Sequence, residues 1–170
     1  MAKSKDKTPY AKPGTEKPAV KKTEGSLKAR KTAARLGAVQ VLYQMRLNNQ
    51  DATSAIREFI AHRVGFNLDG DVLVPADADT LQEIIAATTV RWADIDAAIS
   101  AALAEGKRGE VETLLDCILR AGVAEIMSRG DIDTGVIIND YLSVAAAFYE
   151  GNEPKIVNAI LDKVAKAVRD

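Results

Sequence analysis

The stretch SLKARKTAARLGAVQVLYQM, Ser26 to Met45, opens as a cluster of cations and closes as an apolar helix carrying one tyrosine. Ala34, Ala38, Val41, Leu42 and Met45 recur at helical spacing and form a core stripe. The pattern predicts a helix over about 27–48, with Ser26 as its N-cap. On a wheel of about 100° per residue with Lys28 at 0°, Arg35 falls near 340°, Thr32 near 40°, Val39 near 20°, Tyr43 near 60° and Arg46 near 0°. Ala34, Ala38, Val41 and Met45 of the stripe occupy roughly 220–280° on the same wheel. Lys28, Thr32, Arg35, Val39, Tyr43 and Arg46 therefore line up beside it, with Lys31 at the border. Cations contact phosphates, and an aromatic ring stacks on an unpaired base, so this line suits single-stranded RNA. It equally suits a solvated face with a half-buried tyrosine, and the helix alone leaves both readings open.

The rest of the chain narrows the choice by what it lacks. Its 170 residues suit one domain with one sizeable core. Aromatics are only 5%, so the core must come from Ala, Leu, Ile and Val, which favours close-packed helices. No apolar run approaches the roughly 18 residues of a membrane span. The charged N-terminus has no hydrophobic block behind it and does not read as a secretory signal. Cys117 stands alone, so no internal disulfide forms, which fits a reducing cytoplasm. The net charge of −1 hides an asymmetry: residues 1–35 hold 11 Lys/Arg against 3 Asp/Glu, and residues 36–170 hold 12 against 21. A basic end on an acidic body points to a polyanion at one end and a different partner at the other.

Residues 1–25 carry prolines at 9, 13 and 18 and little to bury, and are expected to be a disordered basic tail. The folded domain is expected over 26–170. After the first helix, Asp51 or Thr53 caps a second one through about Gly65, with Ile56, Phe59 and Ile60 inward. Residues 65–78 read as a loop with a short extended piece at Val72–Val74. Asp77 or Asp79 starts a single long helix to about 106, whose Leu81, Ile84, Ile85, Thr88, Trp92, Ile95 and Ile99 keep the 3–4 period. Residues 110–130 form a helix apolar over much of its surface, hence central, with Gly130 as its C′ residue. Two more helices run from Thr134 to Gly151 and from about Pro154 to the end. The fold class is all-α.

Catalytic chemistry finds no support. His62 is the only histidine and has no nucleophile in view. One Cys and one His cannot make a zinc site, and Asp69–Leu73 lacks the acidic ligand that closes a calcium loop. Glu105–Glu110 lacks the strand and glycine of a phosphate loop. No enzyme activity, cofactor or metal is expected. Cys117 reads as core filler, and Trp92 as packing.

Three blocks then bring a family into view. ARLGAVQVLYQ (Ala34–Gln44) resembles the first-helix signature of the NusB family, A-R-x-x-A-x-Q-x-L-Y, with Arg35, Ala38, Gln40, Leu42 and Tyr43 in register. ILRAGVAEI (Ile118–Ile126) is similar to that family's I-L-R-x-G-x-x-E-L. VIIND (Val136–Asp140) and VNAILDKVA (Val157–Ala165) are similar to V-x-I-N-E and V-N-G-V-L-D-K. The blocks come in order from about 27 to 168, and only the tail lies outside. The chain departs from the pattern at Ala124, Gly135, Ser143, Ala146 and Ala159.

The resemblance implies two three-helix bundles packed across each other. It implies a cytoplasmic transcription antitermination factor. Such a factor binds boxA-type single-stranded RNA with the ribosomal protein that acts as NusE. It joins the RNA polymerase elongation complex with other Nus factors and promotes read-through in ribosomal RNA operons. Monomer and self-masking homodimer are both compatible with it. Arg35 is then the RNA residue supported by both motif and wheel. Lys28, Arg30 and Lys31 are phosphate contacts by charge, and Tyr43 is a stacking or rim residue. Glu125, with the outer face of residues 116–129, is the expected contact for the ribosomal protein. Arg120, Glu125, Asn139 and Asp162 match the motifs, and each of the four is also read as a cap or interhelical bond. Gln40 lies off the basic line and is expected to bond a neighbouring helix. The alternatives are a helical protein-interaction module, or a stand-alone relative of the RNA-binding domain of ribosomal-RNA cytosine methyltransferases.

Overall fold

The computed structural model describes residues 25–63 and 74–170. The predicted tail, apart from Gly25, and most of the 65–78 loop lie outside these residues, as does the extended piece at 72–74 except for Val74. Among these residues seven helices follow in order: α1 (Leu27–Asn48), α2 (Ala52–Arg63), α3 (Ala78–Val90), α4 (Trp92–Ala102), α5 (Thr113–Ser128), α6 (Thr134–Phe148) and α7 (Glu153–Arg169). A single 3-10 turn, Arg108–Glu110, separates α4 from α5. Among the described residues there is no strand, and no helix is long and apolar enough to cross a membrane.

Local chemistry explains the boundaries. Ser26 Oγ accepts the Ala29 amide at 3.1 Å and starts α1. Asn49, at φ 50°, ends it in the left-handed conformation. Asp51 caps α2 by accepting from the Ser54 amide and hydroxyl at 2.9 and 2.6 Å. Asp77 caps α3 by accepting from the Thr80 amide at 3.0 Å.

The single helix expected over 80–106 is instead two. It breaks at Arg91, whose φ −101° and ψ 22° are not helical. The residues before it are Thr88, Thr89 and Val90, all stiff at χ1. The Thr88 and Thr89 hydroxyls also donate back to the Ile84 and Ile85 carbonyls at 2.7 and 2.8 Å, a pattern that bends helices. The apolar period crosses this break unchanged, which is why it concealed the break.

Helix α5 is central, as its apolar surface required: every residue from Leu115 to Ile126 is buried. It packs against α1, α3, α4, α6 and α7. One bundle is α1–α3 and the other is α5–α7, with α4 laid against α5 and α7. Gly122 lets α7 close on α5, since a Cβ there would lie 2.9 Å from the Leu161 methyls. Gly37 does the same where α1 meets Phe59 and Leu81. Gly130 follows the Arg129 C-cap of α5, the C′ position expected of it, but without a left-handed backbone: Gly25 and Gly106 are the glycines with positive φ among the described residues. The end of α5 is closed from α7, where Arg169 donates to the Ile126, Arg129 and Ile132 carbonyls at 2.9, 2.7 and 2.7 Å.

Candidate nucleic-acid interface

The first turns of α1 carry cations and no acid. Lys28 is exposed, while Arg30 and Lys31 are half-buried. The Arg30 guanidinium lies 3.8 Å from the Asp77 carboxylate, and the Asp77 amide donates to the Arg30 carbonyl at 3.0 Å. Both bonds tie the cationic turn to the start of α3. The Asp77 carboxyl is held below its usual range by the Thr80 hydroxyl and amide, and further by the Arg30 and Lys31 charges. Lys31 also acts on Asp131, whose carboxyl is drawn down to about 2, chiefly by its bond from Arg129. Lys31 thus stands beside acids at the rim, and a phosphate has to compete with those acids for it, whereas Lys28 is exposed.

Arg35 does not join them, and its expected RNA contact is corrected here. Its side chain is 3% exposed. Nε and Nη2 donate to the two Glu125 oxygens at 2.8 and 2.9 Å, and Nη1 donates to Asp140 at 2.7 Å. Thr32 Oγ1 lies 3.1 Å from the same Asp140 oxygen and 3.1 Å from the Lys28 carbonyl. Tyr141, fully buried, donates its hydroxyl to Glu125 at 2.7 Å. Burial alone would weaken the protonated guanidinium, but the Glu125 bond and the surrounding negative charge outweigh it and raise its pKa. Burial and the neighbouring Glu125 push the Tyr141 phenol well above its usual range, so it stays a donor. The arrangement pins α1, α5 and α6 together and leaves Arg35 no donor facing solvent.

Glu125 is corrected for the same reason. It is 1% exposed and fully engaged, and α5 has no outer face over 115–126 to offer a partner. Arg120 is likewise interhelical, bonded to Asp116 at 2.8 Å and Asp96 at 2.6 Å. Asn139 and Asp162 instead lie toward the surface, and Asp162 pairs with Lys166 one turn on. Four of the five departures from the family pattern, Gly135, Ser143, Ala146 and Ala159, are exposed, and Ala124 is buried.

Tyr43 is partly buried: its ring packs on the core edge. It also lines an open cleft of about 450 Å³ with Gln40, Gln44, Leu47, Asn48, Glu58, Leu114 and Phe148. Gln40 borders this cleft, whereas Gln44 bonds Gln50 and Glu58 at 3.0 and 2.8 Å. The surface that remains runs from Lys28 and Lys31, past the Thr32–Asp140 contact, to the Tyr43 cleft. Val39, on the same predicted line, is buried. Sequence reasoning missed Asp140 and Tyr141. Asp140 stood in a quoted motif, but its role depends on an arginine 105 residues away.

The sequence profile of the NusB family matches residues 32–166. A transcription antitermination protein NusB from Rhizobium rhizogenes is 40% identical over 138 residues, covering 81% of this chain and 86% of its own. One from Maricaulis maris is 42% identical with the same coverage. Among solved structures, T. maritima NusB superposes with a TM-score of 0.66 at 23% identity, covering 80% of this chain and 90% of its own. A chain from a crystal structure of antitermination factors NusB and NusE in complex with dsRNA gives 0.69 at 21% identity, covering 84% and 99%. The match is continuous from the helix with the Arg35 anchor to the last helix, and the chain belongs to the NusB family of transcription antitermination proteins.

Proposed function

We propose that this protein binds boxA-type single-stranded RNA together with the ribosomal protein that acts as NusE. In this reading it works in the cytoplasm, joining the RNA polymerase elongation complex and promoting read-through of ribosomal RNA operons. The observation that carries the RNA reading is the acid-free first turns of α1, with Lys28 and Lys31 leading toward the Tyr43 cleft. Lys28, Arg30 and Lys31 take phosphates, and Tyr43 offers a ring edge to a base. Family membership supports the antitermination role, and the solved complex of NusB and NusE with dsRNA supports NusE and RNA as partners. The acidic segment 36–170 supports a basic partner through charge complementarity. The chemistry is assembly without bond making.

Anisotropy of labelled boxA RNA, with and without the ribosomal protein and between low and physiological salt, tests the reading. Affinity is expected to fall steeply with salt. Each lysine lost in the Lys28→Ala, Lys31→Ala double variant should reduce the slope by about 0.7 on a single strand. A flat salt profile, or a double variant with an unchanged slope, sinks it. A duplex of the same sequence is the second arm, and tighter binding of the duplex would replace the single-strand assignment.

A further inference from the structure

A second aromatic–cation cluster stands apart from the α1 N-terminus. Trp92, the only tryptophan in the chain, opens α4 and is 38% exposed. The Arg120 guanidinium lies 3.8 Å from its ring centroid, and that of Arg46 lies 5.8 Å away. Arg120 also donates to the Trp92 carbonyl at 3.3 Å. Arg46 donates to Asp116, and Arg108 approaches Asp96 and Asp116 at 2.7 and 2.6 Å. Three guanidiniums thus share two carboxylates, an excess of one positive charge within these five side chains. Beside it Arg91 is exposed and makes no ion pair among the described residues, and Val90 is 85% exposed.

The indole keeps more than a third of its surface open while a buried arginine fixes its orientation. A rigid, half-open ring flanked by guanidiniums is a platform for an unpaired base. We propose that Trp92, with Arg46 and Arg91, forms a second single-stranded RNA contact, in which the indole stacks on a base and the two arginines take the flanking phosphates. This rests on the RNA reading of α1 and extends its path: Tyr43 and Arg46 lie three residues apart, so they neighbour each other on the α1 surface.

Because Trp92 is the sole tryptophan, its emission reports on its own site. The full chain is titrated with labelled single-stranded boxA RNA extended by several nucleotides at each end, reading RNA anisotropy and Trp92 emission together. The expected result is emission quenched by roughly half at saturation, with Arg46→Gln, Arg91→Gln weakening affinity about fivefold and leaving the melting temperature of the Arg91→Gln single variant unchanged. Saturating anisotropy with unchanged emission, and native affinity in Arg91→Gln, would show the stack to be packing only. Quenching that survives Lys28→Ala, Lys31→Ala at native affinity would instead remove the α1 site and leave Trp92 standing. No anisotropy change at all would overturn both.

Discussion

Arg35 decides how the first helix is understood. The motif and the wheel placed it beside the stripe and so among the RNA contacts, and the structure buries it. A wheel finds the apolar arc of a helix but not the number of neighbours around it. Helix α1 is covered by α2 and α3 on one side and by α5 and α6 on another, so its buried arc widens to include Arg35, Gly37 and Val39. The carboxylates that make this tolerable stand 90 and 105 residues away, beyond any local pattern. Arg35→Ala should therefore strand Glu125 and Asp140 and cost about 3–5 kcal/mol, read by urea denaturation. A native midpoint would show the pair to be dispensable. Asp77 gives a pH prediction with a definite sign. Its folded pKa is depressed, so its contribution is present above the ordinary carboxylate value of about 4 and lost as pH falls through the lower folded value. Melting of Asp77→Asn and the native chain should differ at pH 7 and converge toward pH 2.

At the scale of elements, capping and apolar period located most helices. Ser26, Asp51 and Asp77 stand where the caps were expected, and α1 begins and ends within a residue of the predicted span. Two ends escaped for different reasons. The α3–α4 break is made by side-chain hydroxyls and β-branched residues, which leave the hydrophobic period intact. The end of α5 is made by Arg169, a residue from another element, so its local sequence could only suggest the nearby Gly130. Because three carbonyls depend on that one guanidinium, Arg169→Ala should lower stability by about 1–3 kcal/mol, measured by thermal melting. If α5 closed itself, the melting point would not move.

For the whole molecule, the all-α class and the central position of α5 followed from composition and from one continuously apolar helix. The interface was legible only in part. Charge counting picked out Lys28 and Lys31 as candidates, of which the structure leaves Lys28 exposed, whereas the partner face assigned to α5 is closed over 115–126 because the helix is central. Residues 1–24 bring seven lysines against three acids and no apolar stripe. Removing them should leave the melting curve unchanged and reduce RNA affinity modestly, with a shallower salt slope in anisotropy. Loss of the cooperative transition would show that the segment belongs to the fold. The Arg35 junction also sets a timetable for synthesis. Its first carboxylate is made 90 residues after it, about 5–18 s later at ordinary elongation speeds of about 5–20 residues per second. Throughout that interval the nascent N-terminal bundle holds an arginine whose counter-ions do not yet exist. Helix α1 therefore gains its Arg35 lock only once α5 and α6 have left the ribosome, although it is translated before both.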